Sequence, residues 1–194
     1  LTFNGGIGQA EPESNPTKPG NPLSSRSAYG RLVNFYEDGT RAVVTGDATA
    51  AYRGNYTNPL LTSAIRTVVY DKSEKVIVIY DYASSATARK WELNFNALAD
   101  FSITSSSSEM LSYNGASASI QVHGPSGQFT KTKDFPILPS GGYPTADQPT
   151  QYQSRFSVVS PSTAFASVTV IREDARSVPV SVSFNGNIAT VSIN

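Results

Sequence analysis

Tyrosine and histidine set the chemistry open to this chain. Ten tyrosines and a single histidine, His123, occur in 194 residues, and cysteine is absent. An imidazole acting as general base or metal ligand needs an orienting partner or companion ligands, and no second His and no Cys can supply them. His123 stands at the end of a predicted strand before Gly124-Pro125, a structural or exposed setting. Ser-His-Asp chemistry would need an activated serine beside it, and no Gly-x-Ser-x-Gly elbow occurs. Glu11 and Glu13, Asp71 and Glu74, and Glu173 and Asp174 read as solvated turn charges rather than as a cation site. Two carboxylates for glycoside hydrolysis are paired in space, which a sequence does not display. The prediction is that the chain carries no catalytic residue, no metal site and no cofactor of its own.

The tyrosines suit a different task, because an exposed ring can stack on a sugar while its hydroxyl stays wet. Tyr29, Tyr36, Tyr52 and Tyr56 gather around the loops before the central strands and are the candidate substrate-binding residues. Packing in a core or an interface is the competing reading of each. Arg66 and Asp81 are single charges inside two apolar runs. If the loop between those runs is 72–75, Arg66 falls opposite Asp81, and each charge answers the other as a structural ion pair.

Strands must position these groups. Residues 63–70 and 76–82 are β-branched and aromatic, and the five residues between them have hairpin grammar. Val76, Ile77, Val78, Ile79 and Tyr80 are apolar on both faces, so this strand is expected to be covered on both sides. Residues 89–98 alternate, with Trp91, Leu93, Phe95 and Ala97 on one face and Lys90, Glu92, Asn94 and Asn96 on the other. These three runs are expected to form a meander within one layer. The predicted core includes Val69, Val78, Ile79, Trp91, Leu93 and Phe95.

Around this centre, Asp38-Gly39, Asn114-Gly115 and Asn185-Gly186-Asn187 join further strand pairs. Residues 46–52 favour a helical turn with Asp47 as a possible cap. The run 100–108 ends in four serines and reads as a solvated loop, and 129–138 reads as an edge strand limited by Pro136. Asn4-Gly5-Gly6-Ile7-Gly8 is glycine-rich, but no helix follows, so a phosphate loop is disfavoured. Asn55-Tyr56-Thr57 matches a glycosylation sequon, read here as accidental. No fixed-period repeat appears, which removes propellers and solenoids. Roughly a dozen short strands with Gly, Pro and Asn turns specify an all-β, antiparallel two-layer β-sandwich. Residues 1–194 are expected to form one such domain.

Fifteen basic and fifteen acidic residues leave no net field to draw in nucleic acid, and no apolar run is long enough to span a bilayer. Few charges and abundant Ser, Thr, Asn, Tyr and Gly suit a cell-surface or periplasmic β-protein. Leu1-Thr2-Phe3 already reads as strand, so a fragment of something longer is expected.

Four stretches resemble one family, the heparinase II/III-like polysaccharide lyases. Leu1-Thr2-Phe3-Asn4-Gly5-Gly6-Ile7-Gly8-Gln9 is similar to the segment after the His-Asn pair in the C-terminal half of those enzymes. Gly46-Asp47-Ala48-Thr49-Ala50-Ala51-Tyr52 resembles their Gly-Asp-Ala-x-x-Ala-Tyr stretch. Arg66-Thr67-Val68-Val69-Tyr70 and Val78-Ile79-Tyr80-Asp81-Tyr82 resemble two of their strands, and the order is the same. The family's strand at Trp91-Glu92-Leu93-Asn94 often carries a His near Asn94, which is missing here. The resemblance implies a C-terminal β-sandwich beside an upstream (α/α) toroid, secreted or periplasmic in a bacterium, with an anionic, uronate-containing polysaccharide as substrate. Most catalytic residues of such enzymes lie in the toroid, and the zinc ligands of several members precede the position of Leu1. None of those residues maps onto this chain. A stand-alone carbohydrate-binding module and a structural surface domain stay open as alternatives.

Overall fold

The computed structural model describes residues 1–9, 30–54, 58–132, 151–174 and 179–193. Sixteen strands occur among them: β1 (Thr2–Phe3), β2 (Arg31–Glu37), β3 (Arg41–Asp47), β4 (Arg53–Gly54), β5 (Asn58–Pro59), β6 (Ser63–Asp71), β7 (Val76–Arg89) and β8 (Trp91–Ala97) in the first half. The second half holds β9 (Phe101–Ser105), β10 (Ser108–Tyr113), β11 (Ala116–His123), β12 (Gly127–Thr132), β13 (Tyr152–Val158), β14 (Ser162–Glu173), β15 (Val180–Asn185) and β16 (Ile188–Ile193). The helical element described is a single 3₁₀ turn, Thr49–Ala51, where a turn was expected. Its cap residue is Ala48 rather than Asp47, although the Asp47 carboxylate accepts the Thr49 N–H at 2.9 Å.

An eight-stranded sheet runs β2-β3-β6-β7-β14-β11-β10-β9, and a four-stranded sheet runs β1-β8-β13-β12. The hairpins β15-β16 and β4-β5 stand apart from both. Every pairing is antiparallel, so the fold is the expected two-layer β-sandwich with an added hairpin. The predicted turns close as their chemistry requires. Asp38 accepts the N–H groups of Thr40 and Arg41, both at 2.7 Å, and Asn114 and Gly115 both take positive φ.

Two cores follow from period-2 alternation. Between the sheets lie Phe3, Trp91, Leu93, Phe101, Phe129, Phe156 and Phe165. On the outer face of the large sheet, Val76, Val78, Val168 and Val170 pack against Val180, Val182 and Val191 of the β15-β16 hairpin. Near its start β7 is covered on its outer face alone, because the inward Ile77 and Ile79 are half-buried and join neither cluster, and the small sheet covers its inner face only farther on, at Ala83. Of the predicted core, Val69, Val78, Trp91, Leu93 and Phe95 join one cluster or the other, whereas Ile79 is half-buried and joins neither.

Three expectations are corrected. Strand β8 does not continue a meander: β6 and β7 belong to the large sheet, and β8 lies in the small one between β1 and β13. The cause is the length of β7, which runs on to Arg89. Lys90 alone separates it from β8, and the chain then crosses to the opposite layer, where Trp91 points back into the core. The serine-rich run is not a loop throughout, because Phe101 is buried and holds β9 on the sheet edge. Asp71 is not a solvated charge. It is buried, and its Oδ1 accepts the Ser73 hydroxyl at 2.7 Å and the N–H groups of Ser73 and Glu74 at 3.1 Å, which caps the β6-β7 turn. The hydroxyl first and then the Glu74 N–H hold its carboxyl below the ordinary range.

Among the described residues, the large sheet's inner face is only partly covered toward its β2 edge. Phe35, Val44, Val68 and Ile79 form one row across β2, β3, β6 and β7. Phe35 is 60% exposed, and every residue of the edge strand β2 is exposed, Leu32, Val33 and Tyr36 included.

Candidate functional site

Arg66 and Asp81 face each other across β6 and β7, as their spacing predicts. The contact is bidentate: Arg66 Nε donates to Asp81 Oδ1 at 2.7 Å and Nη2 to Oδ2 at 3.0 Å. Asp81 is buried, with 4% of its side chain exposed, against 48% for Arg66. Burial works against the Arg66 charge, but the hydrogen bonds and charge of Asp81 outweigh it and raise the guanidinium above its ordinary range. Tyr52 and Leu1 join the pair around a recess of about 120 Å³. Two of the five guanidinium N–H donors are engaged by Asp81, and the half-exposed arginine has others for an anion.

The structure separates the predicted tyrosines. Tyr52 is buried between the sheets and donates its hydroxyl to the Leu1 carbonyl at 2.7 Å. Tyr36 is exposed on β2, and its hydroxyl donates to Asp38 Oδ2 at 2.6 Å. Tyr36 pairs with Val43, in the row that runs through Val69 to Val78 on the hairpin side, so it lies on the other face from Tyr52. Tyr29 and Tyr56 lie outside the described residues, as does the sequon at 55–57.

The glycine-rich turn after β1 binds an anion of the chain itself. Positive φ at Asn4, Gly5 and Gly6 turns the Gly5 N–H onto Glu92 Oε1 at 2.9 Å, and Thr2 donates to Oε2 at 2.8 Å. Glu92, read from alternation as solvent-facing, is therefore buried under this turn on the outer face of the small sheet.

A larger cleft, of about 1010 Å³, opens where the β15-β16 hairpin meets the end of the large sheet. Tyr82, His123 and Ala166 line its sheet side, Val182, Phe184 and Asn187 its hairpin side, and the 106–107 and 124–127 turns its rim. His123 Nε2 is enclosed and has no hydrogen-bond partner among the described residues. Burial, and then the nearby Arg172 charge, hold this imidazole below its ordinary pKa, so it stays neutral at physiological pH. Nothing in the sequence pointed to Tyr82, Phe184 or Asn187 as one site, since a hairpin a hundred residues after β7 completes it.

Glu109 is an acid whose pKa burial raises rather than lowers. It projects from β10 into the main core, where Ser154 of the small sheet donates to Oε2 and Oε1 has no hydrogen-bond partner among the described residues. Burial pushes its pKa up to about 7, from an ordinary 4.5. The unfolded chain releases this proton at lower pH than the folded chain. The contribution of Glu109 to stability is therefore fully present below about pH 4.5 and is lost as pH rises toward and through 7. Glu109→Gln is expected to flatten that decline by about 2 kcal/mol between roughly pH 5 and pH 8. Urea midpoints of the two proteins across this range give the comparison, and parallel profiles would show a solvated carboxylate.

Among the described residues no three His, Asp or Glu side chains gather to hold a metal ion, and no helix is long and apolar enough to cross a membrane.

No protein-family model matches the chain, and no curated protein does. Solved structures do. The chain has the fold of a segment of heparan sulfate lyases. Over 85% of its length it superposes on the heparan sulfate lyase HepC of Pedobacter heparinus, with a TM-score of 0.59 and 13% identity, and equally on a mutant of that enzyme. A heparinase III gives a TM-score of 0.62 at 14% identity over the same share. The chain spans about a quarter of the length of these lyases, 26% in each case. At the level of fold, the likeness to a heparinase-like β-sandwich read from the four short stretches is borne out.

Proposed function

We propose that this chain is the C-terminal β-sandwich of a heparinase II/III-like polysaccharide lyase. In that role it supports, and partly lines, the cleft in which a uronate-containing polysaccharide undergoes β-elimination. The observation that carries the reading is the shared fold with HepC and heparinase III over most of this chain and a quarter of theirs. An upstream (α/α) toroid of the same secreted or periplasmic protein is then the principal partner. The apolar row of Phe35, Val44, Val68 and Ile79, exposed at Phe35 and half-buried at the other three, offers such a domain a surface together with the exposed edge strand β2. An uncovered, apolar edge strand is a hazard for an isolated sheet and an asset where another domain covers it. Arg66, held rigid by Asp81, supplies a fixed cation for the carboxylate of an acidic sugar.

β-Elimination removes a proton α to a carboxylate, so it needs a base, groups that neutralise the enolate and an acid for the leaving oxygen. Arg66 meets the second need in part. The one imidazole lines the separate hairpin cleft, so the base and the acid are assigned to the toroid. The chain alone, incubated with heparan sulfate or alginate, is expected to yield no unsaturated product by ultraviolet absorbance. The parent with its toroid is expected to do so. Turnover by the chain alone would sink the supporting role, and a parent inactive on every uronate polymer would sink the lyase reading.

A further inference from the structure

The hairpin cleft has a character that the uronate reading does not use. We propose that it is a second carbohydrate site, which takes a neutral oligosaccharide between Tyr82 and Phe184. The first argument is charge: among the described residues no Lys, Arg, Asp or Glu lines the cleft, so none of them repays the desolvation of a sulfate or carboxylate. The imidazole of His123, neutral at physiological pH, does not change that balance.

The second argument is the lining. A pyranose ring has a flat C–H surface and a rim of hydroxyls, so its site needs an aromatic wall and scattered neutral hydrogen-bonding groups. Phe184 is 38% exposed on the hairpin, a large aromatic left open to water. Tyr82 faces the hairpin from β7, in register with Ala166 of β14. The hydroxyls of Tyr82, Ser106 and Ser126 and the Asn187 amide supply the polar groups. No hydrogen bond to another described residue occupies these side-chain atoms, so their capacity is available to a ligand.

The third argument is that one wall is built in advance. Gly124 has φ +137°, and a Cβ there would lie 2.7 Å from the Ala166 carbonyl oxygen. At Gly127 a Cβ would lie 2.3 Å from the Phe156 ring. These glycines let the 124–127 turn lie flush on β14 and β13, and the Val159 N–H fastens it to the Ser126 carbonyl at 2.9 Å. A wall set before binding spares the ligand the cost of ordering it. This inference does not rest on the lyase reading.

The sole histidine makes the test direct, because every imidazole signal in the nuclear magnetic resonance spectrum comes from the cleft. The probes are neutral hexasaccharides of α-1,4-glucose, β-1,4-glucose, β-1,4-mannose and β-1,4-N-acetylglucosamine, with a heparan sulfate hexasaccharide as the charged comparison. At least one neutral probe is expected to shift the His123 ring signals, with a dissociation constant near about 1 mM. Phe184→Ala is expected to weaken that binding about tenfold or more, and Tyr82→Phe, which removes only the hydroxyl, by a smaller factor. Tyr113→Ala, on the exposed end of β10 and away from the cleft, is expected to leave it unchanged. If no neutral probe moves the His123 signals, or the heparan sulfate fragment moves them as strongly, the proposal fails. It fails equally if binding survives both cleft variants intact. Failure here leaves the absorbance assay of the parent lyase unaffected.

Discussion

Trp91→Ala is expected to lower the unfolding free energy by about 3–5 kcal/mol, the largest effect of any single substitution considered. Trp91 is fully buried at the start of β8 and joins the two layers. Its ring meets Phe3 of the small sheet edge-on at 5.7 Å between centroids and stacks on Phe165 of the large sheet at 5.9 Å. The indole N–H donates to the Ser162 carbonyl at 3.0 Å, so the one polar atom is satisfied. Alanine would leave a cavity between sheets that cannot close without shifting whole strands, which places the cost in the upper part of the range for large-to-small changes. For a chain of this size the midpoint of thermal unfolding should fall by roughly 6–20 °C. Circular dichroism is the right readout, since the only tryptophan is the residue removed. A loss below about 1 kcal/mol would mean that the sheets do not meet at Trp91.

Arg66→Ala comes second, at about 2–3 kcal/mol. It leaves the buried Asp81 carboxylate without its partner, the situation in which a broken ion pair is most costly. The figure lies below the usual range for buried pairs because Arg66 is itself half-exposed, so water partly replaces it. The reverse change, Asp81→Ala, strands a guanidinium that water already reaches and should cost only about 1 kcal/mol. The double variant should be more stable than Arg66→Ala alone. This order is the informative outcome of a double-mutant cycle by urea unfolding. Equal losses in both single variants would show that the two side chains share one degree of burial.

Local grammar was legible in the chain, and sheet membership was not. Asp38-Gly39, Asn114-Gly115 and Asn185-Gly186 each close the hairpin that their turn chemistry demands, and the 71–75 spacing set the Arg66–Asp81 register correctly. Such features depend on neighbours a few residues apart. Strand β8 alternates as expected, but its alternation does not say which layer it joins. Trp91 and Leu93 fit a core from either side, and only the extension of β7 to Arg89 decides. Glu92 and Glu109 escape the same reading, because each is an ordinary acid in sequence and its burial is imposed by a distant element: the turn after β1 for Glu92, β13 for Glu109. The candidate site divides in the same way. The ion pair was readable because it spans one hairpin, whereas the His123 cleft depends on β15-β16 returning to β7 and β11.

The crossing at Lys90 also sets an order of events during synthesis. Trp91, Leu93 and Phe95 leave the ribosome on a strand whose earlier partner, β1, is two residues long and whose main partner, β13, lies about sixty residues ahead. At common elongation rates of roughly 5–20 residues per second, that interval lasts about 3–12 seconds. The β2-β3 and β6-β7 hairpins can close meanwhile, because their strands adjoin in the chain. The aromatic face of β8 cannot. For those seconds the nascent polypeptide displays its most adhesive surface beside a half-built sheet, which makes it a natural client for a holding chaperone.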